Sequence, residues 1–225
     1  MTSLAVIFIL LLCASLNNAQ NEGETMRNSM LVEVQKELKT FLAGGVEVSS
    51  DPKDPLGLLI LVPEDLLAFP FDRAEISYAG ETFLRAFVPR LARTICSARF
   101  ASEIHSIIVE GHTDSSGKDE YNWDLSQRRS MSVVRTSLAV LATQDTAAER
   151  SAFLRLLSAS GRGSADLVSN TAGQENAAMS RRVVFKIKVR SIEQKTVTER
   201  LAPTVTERPA PSVTERPGPS VSRAS

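Results

Sequence analysis

Ile107–Leu138 reads IIVEGHTDSSGKDEYNWDLSQRRSMSVVRTSL, and this stretch decides the fold and the chemistry. Ile107, Ile108 and Val109 are apolar and largely β-branched, which favours a buried strand, and Gly111 to Gly117 is a polar loop bounded by glycines. A helix follows. Asn122 is its expected N-cap, and from Trp123 onward neither Gly nor Pro occurs until Gly161. Asn122 and Arg129 then lie about two turns apart on one stripe, while Met131, Val134, Leu138 and Leu141 recur at helical spacing and should face a core. Asp114 sits where the strand's end meets the helix start. A carboxylate and a guanidinium thus reach one cleft, a pair suited to a zwitterionic amino acid: Asp114 accepts from an ammonium and Arg129 grips a carboxylate with parallel donors. Across arbitrary proteins the same two residues more often form a structural ion pair.

Gly111, His112, Thr113, Asp114 and Gly117, followed by Asn122, Leu125, Ser126, Arg129 and Val133 on the helix, resemble the OmpA-like peptidoglycan-binding domain. That domain is shared by MotB-type stator proteins and peptidoglycan-associated lipoproteins. Phe69, Ala74, Glu75 and Ile76 are similar to the family's phenylalanine-led pocket wall, and Arg181, Arg182 and Val183 to its closing strand. The resemblance implies an α/β (α+β) sandwich of βαβαβ type, with a mixed sheet of about four or five strands covered by helices. It also implies that Asp114 and Arg129 hold the diaminopimelate of the cell-wall stem peptide, with Thr113, Asn122 and Leu125 at family positions around them. Asp72 falls on the pocket wall or in a capping or solvated role. Two departures stand out: Ser180 replaces the family's asparagine, and Asn176 and Ala177 replace its Gly-Arg pair. Ser137 also occupies the family's usual leucine position, one residue before Leu138.

Composition narrows the function from the other side. The 225 residues carry 26 basic and 26 acidic side chains, so no broad positive field attracts nucleic acid. The cysteines, Cys13 and Cys96, are far apart, no CxxC or Cys/His cluster occurs, and His105 and His112 are the only histidines. No metal, cofactor or disulfide is expected on that basis. His112 titrates near neutrality when unperturbed, yet no motif places a serine or cysteine nucleophile beside it, so binding is expected and catalysis is not. Gly161, Arg162 and Gly163 lack the Gly-Lys-Ser/Thr ending of a phosphate loop and read as a turn into a strand.

The remaining chain frames this unit. Leu4 to Leu16, LAVIFILLLCASL, would span about 20 Å as a helix, against roughly 30 Å for a bilayer core. No basic residue precedes it and Asn17, Asn18, Ala19 make a poor cleavage site, so residues 1–20 are read as a membrane anchor or a signal segment. Asn21 to Ala43 has Leu31, Val34, Leu38 and Phe41 at three- and four-residue steps. This linker helix, 21–43, packs on the domain or self-associates into a homodimer. The binding domain is expected over 44–192. It starts with two strands between Val46 and Val62, and continues through an amphipathic helix from Ala79 to Cys96 whose Pro89 should kink or split it. Thr146 to Ser158 is a further helix and Ser180 to Val189 a half-buried strand. Residues 193–225 repeat TVTERLAP, TVTERPAP and SVTERPGP, which bury almost nothing and read as a disordered tail.

These features give an envelope protein whose domain projects into the bacterial periplasm from the inner membrane, with outer-membrane and secreted placements as the other readings. Its expected partner is peptidoglycan. The alternative is the wall-anchoring, stator-like subunit of an ion-driven complex with a MotA-like membrane partner. That role needs an acid in or beside the membrane helix, and Met1 to Leu16 contains none.

Overall fold

The computed structural model describes residues 2–191 except 68, 71, 145 and 146. The repeat tail expected over 193–225 lies outside the described residues. The chain opens with a helix, α1 (Thr2–Glu37), followed past Leu38 by the short α2 (Lys39–Leu42). The Leu31–Phe41 seam lies against the chain's own domain: Val34 and Leu38 are fully buried with Met30, while Leu31 and Phe41 pack on the core's edge. Phe41 meets Phe83 and Phe87 edge-on at 5.6 and 5.5 Å between ring centroids. The apolar run from Leu4 to Leu16 is exposed at the far end of the same helix. No helix among the described residues is long and apolar enough to cross a membrane.

Past Gly45, with φ at 100°, the chain enters the sheet as a hairpin of β1 (Glu47–Ser50) and β2 (Gly57–Pro63). The Asp51–Pro55 turn is tied by its own carboxylates: Asp51 accepts from the Lys53 amide at 2.8 Å and Asp54 from the Leu56 amide at 3.0 Å. The short α3 (Glu64–Leu67) follows, and then α4 (Tyr78–Ile95), whose Ser77 cap accepts from the Gly80 amide. Pro89 does not split α4, which runs unbroken through it; Phe87, Leu91 and Ile95 are fully buried and Phe83 packs at the edge of the core.

The decisive stretch forms β3 (Ile104–His112), a loop, and α5 (Asp119–Gln144). α6 (Ala147–Leu156) buries Phe153, with Leu156 packed partly against the core. The expected helix stops there: Leu157–Gly161 is a strand, β4, so Gly161 leads out of a strand into a turn rather than the reverse. Parallel pairing of Ile107–Gly111 with Leu157–Gly161 overrides helical propensity at Leu157 and Ser158. The short α7 (Ala177–Ser180) leads into β5 (Arg182–Val189).

The sheet is five-stranded and mixed, in the order β1-β2-β5-β3-β4, with only β3 and β4 parallel. The last strand therefore occupies the middle. Val183, Phe185, Ile187 and Val189 face the helices, as alternation requires. On the other face Lys186 and Lys188 pair with Asp51 at 2.5 Å and Asp54 at 3.0 Å. Val184, also on that face, is nonetheless buried among these charged stems.

α5 packs through a different stripe from the one its apolar pattern suggests. Met131 is 37% exposed and Leu138 only half-buried, whereas Ser126, Ser130, Val133, Ser137 and Leu141 are buried. The cause is close packing between helix and sheet. A Cβ on Gly111 would lie 2.3 Å from the Ser126 carbonyl oxygen, and one on Gly161 2.5 Å from the Gln127 amide nitrogen. Small residues on the helix and glycines on the strands bring α5 down onto β3 and β4.

Candidate functional site

Strand register builds the site. Pro63 of β2 and His112 of β3 both stand opposite Arg182 of β5, so the three strands end in one row. The residues beyond that row, Glu64, Arg181, Thr113 and Asp114, therefore emerge together. α5 crosses above them carrying Asn122, Leu125 and Arg129. The result is a cleft of about 900 Å³ that includes all six residues expected from sequence: Asp72, Thr113, Asp114, Asn122, Leu125 and Arg129.

Asp114 and Arg129 share this cleft without forming an ion pair with each other. Asp114 Oδ2 is 2.6 Å from Arg181 Nη1, Arg181 Nε is 2.9 Å from Glu64 Oε2, and Glu64 Oε1 is 2.8 Å from Arg129 Nη1. Acid and base alternate through Asp114, Arg181, Glu64 and Arg129. Arg129 is the buried end, 6% exposed, and also donates from Nε to the Arg73 carbonyl at 3.0 Å. Its guanidinium lies over the Phe69 ring at 4.9 Å, a cation–π contact that makes the expected phenylalanine wall part of the charged site.

The electrostatics follow from this chain. Burial tends to raise the Asp114 pKa, but hydrogen bonds from Arg181 and Ser116 outweigh it and hold the carboxyl below its ordinary value. Arg129 is lowered, chiefly by burial, with Glu64 opposing. Arg181 is raised, first through its bond to Asp114. Glu64, Asp65, Asp72 and Asp114 face Arg129 and Arg181 across the cleft, so acid exceeds base, yet both signs are presented, which matches a ligand carrying both.

Asn122 is not the N-cap. α5 begins three residues earlier, at Asp119, and the Asn122 side chain turns back to donate to the Ser116 carbonyl at 2.8 Å and the Asp114 carbonyl at 3.4 Å. It fixes the loop that presents Asp114, helped by the Ser116 amide, which donates to Asp114 Oδ1 at 3.0 Å. Thr113 is buried and its hydroxyl has no partner among the described residues, while its amide donates to the Gly163 carbonyl at 2.9 Å. Leu125 supplies an apolar floor. Asp72 sits on the rim with φ at 58°, a left-handed conformation that aspartate tolerates better than most residues, and accepts from the Tyr121 hydroxyl.

His112 lies outside this cleft. It is buried in a separate cavity on the open face of the sheet, its Nε2 3.8 Å from Glu110, and burial pushes its pKa down despite that carboxylate.

Sequence reading missed Glu64, whose only signal is an acid directly after the proline that closes β2. It took Arg181 as part of a strand, although it precedes β5 and points into the cleft. Tyr121 carried no signal beyond lying next to Asn122.

The sequence profile of the OmpA family matches residues 68–181, which span the Phe69 wall, Asp114, all of α5 and Arg181. The chain belongs to the OmpA family. A search of curated proteins finds no match. Among solved structures it is similar to a MotB-like protein of Desulfovibrio vulgaris, at 22% identity and a TM-score of 0.53, covering 76% of this chain and 99% of that one. It is also similar to the cell wall anchor of the T6SS from Pseudomonas aeruginosa, at 22% identity and a TM-score of 0.48, covering 70% of this chain and 97% of that one. The periplasmic domain of Helicobacter pylori MotB shares 18% identity, with a TM-score of 0.47 and coverage of 70% and 90%. At these identities the likeness is one of fold, and that to the Desulfovibrio vulgaris protein agrees with the α/β architecture expected for an OmpA-like domain.

Proposed function

We propose that this OmpA-family chain attaches non-covalently and non-catalytically to peptidoglycan, by gripping the zwitterionic end of diaminopimelate in the stem peptide. The supporting observation is the alternating Asp114–Arg181–Glu64–Arg129 chain lining one cleft. The ligand's ammonium would lie on Asp114, a carboxylate held in its charged form, and its carboxylate on the guanidinium of Arg129. The Thr113 hydroxyl offers a further buried polar group beside Asp114.

Each such contact is modest, because part of the gain repays desolvation and the loosening of existing ion pairs. A polymer presenting many copies of the same group compensates through effective concentration. Weak single sites and firm retention on intact wall are therefore compatible.

Envelope attachment through the N-terminal segment belongs to the same proposal. α1 runs unbroken from the exposed apolar residues to Met30 and Val34 in the core, so whatever holds residues 4–16 is joined to the wall-binding domain by helix rather than by a slack linker. The deciding experiment is co-sedimentation of the full chain with insoluble diaminopimelate-type wall. Wild type should pellet, while Asp114→Ala and Arg129→Ala, with circular dichroism unchanged, should remain in the supernatant. Pelleting of both variants contradicts the proposal.

A further inference from the structure

The cleft uses one side of the α5 start, and the other side holds a second groove. It has a volume of about 640 Å³ and lies between Asp119, Glu120 and Trp123 on the helix and Arg162 and Ser164 on the loop after β4. Trp123 is the chain's only tryptophan, and it is 59% exposed. Its ring stacks on no other ring among the described residues. Leaving so large an aromatic surface in water forgoes substantial burial energy.

The groove is built by tight packing. Gly163, with φ at 52°, comes so close that a Cβ there would lie 3.1 Å from the Trp123 amide nitrogen. Its amide donates to Ser126 Oγ at 2.9 Å, and its carbonyl accepts from the amide of Thr113, a cleft residue, at 2.9 Å. One glycine thus ties the groove's loop both to α5 and to the cleft.

We propose that this groove binds the glycan strand of the same polymer, with the Trp123 ring as the stacking platform for a pyranose. The inference rests on the reading that the cleft takes the stem peptide. A pyranose has a flat face of polarised C–H bonds that packs on the negative face of an aromatic ring, and a rim of hydroxyl and N-acetyl groups that need donors and acceptors. Asp119 and Glu120 accept, Arg162 donates from Nη1 while its Nε and Nη2 hold Asp166, and Ser164 Oγ, which donates to Asp119 at 3.3 Å, can accept. The two carboxylates disfavour phosphate-bearing polymers and anionic lipid, whereas the glycan backbone carries no net charge once its lactyl carboxyl is amidated by the peptide.

Dimensions agree with a shared ligand. Diaminopimelate is the third residue of the stem, so it hangs about 10 Å from the strand when extended. A helix with its side chains is about 10–12 Å across. A stem peptide held on one side of α5 can therefore place its sugar on the other.

The single tryptophan provides the readout. Soluble N-acetylglucosamine oligomers, a peptide-free glycan with the same pyranose and N-acetyl groups and no lactyl carboxylate, should quench and blue-shift the emission of the full chain in a saturable way, and a free diaminopimelate tripeptide should change it little. Trp123→Ala should weaken apparent affinity for intact wall about tenfold, Trp123→Phe about two- to threefold, and both should bind the free tripeptide as wild type does in calorimetry. Tripeptide binding with no response of the emission to glycan overturns this inference and leaves the cleft reading standing. A glycan response without tripeptide binding supports the groove and overturns the cleft reading. Undiminished affinity of Trp123→Ala for intact wall also overturns it.

Discussion

Asp114 Oδ2 lies 2.6 Å from Arg181 Nη1, and this contact makes the carboxylate a stable acceptor. The pKa of Asp114 is depressed in the fold, so the stability it contributes is present above its unfolded value and lost as pH falls through the lower folded value. Binding should follow ionisation. Wall co-sedimentation should stay level from about pH 7 to about pH 5 and decline only below the ordinary aspartate value of 3.8. A midpoint above that value would show that Asp114 is not the acceptor.

Glu64 holds two guanidiniums at once, at 2.8 Å to Arg129 and 2.9 Å to Arg181. Glu64→Gln leaves the largely buried Arg129 without its carboxylate and should cost about 1–3 kcal/mol, read as a lower denaturation midpoint. A bound ligand carboxylate replaces the missing charge. Diaminopimelate tripeptide should therefore raise the melting temperature of the variant more than that of wild type, in a thermal shift titration.

Much of this was legible in the sequence, for identifiable reasons. The strand-loop-helix of Ile107–Leu138 carries its own periodicity and glycines, and its motif located Asp114, Asn122 and Arg129 in one cleft. Residues whose role depends on another strand were not legible. Glu64 and Arg181 meet because Pro63 and Arg182 are paired across β2 and β5, a register that no local pattern encodes. Met131 was misplaced for a related reason: the apolar pattern suggested a core face, but the glycines of β3 and β4 select the serine-rich side of α5 for contact. β4 escaped notice because its five residues, LSASG, have little strand character of their own.

That close contact is itself testable. Gly111→Ala would put a methyl 2.3 Å from the Ser126 carbonyl oxygen, which belongs to helix backbone and cannot rotate away. Lifting α5 should cost stability at the upper end of about 1–3 kcal/mol. It should also weaken wall binding, since α5 carries Asn122, Leu125 and Arg129. Urea denaturation and co-sedimentation of the same sample would show both effects.

Leu38 is fully buried with Met30 and Val34 in the same core as Phe87 and Phe185. Leu38→Ala should destabilise the whole domain by about 2–5 kcal/mol in a single cooperative transition. A surface linker helix would instead leave the denaturant midpoint unchanged.

The central claim is that the cleft reads both charges of one zwitterion, with Asp114 on the ammonium and Arg129 on the carboxylate. Its most direct measurement is calorimetric titration of the full chain with two soluble stem tripeptides, one ending in diaminopimelate and one in lysine, which keeps the ammonium but lacks the side-chain carboxylate. The account predicts saturable binding of the diaminopimelate peptide, at least tenfold weaker binding of the lysine peptide, and loss of this preference in Arg129→Ala. Equal affinity for the two peptides in wild type would contradict it.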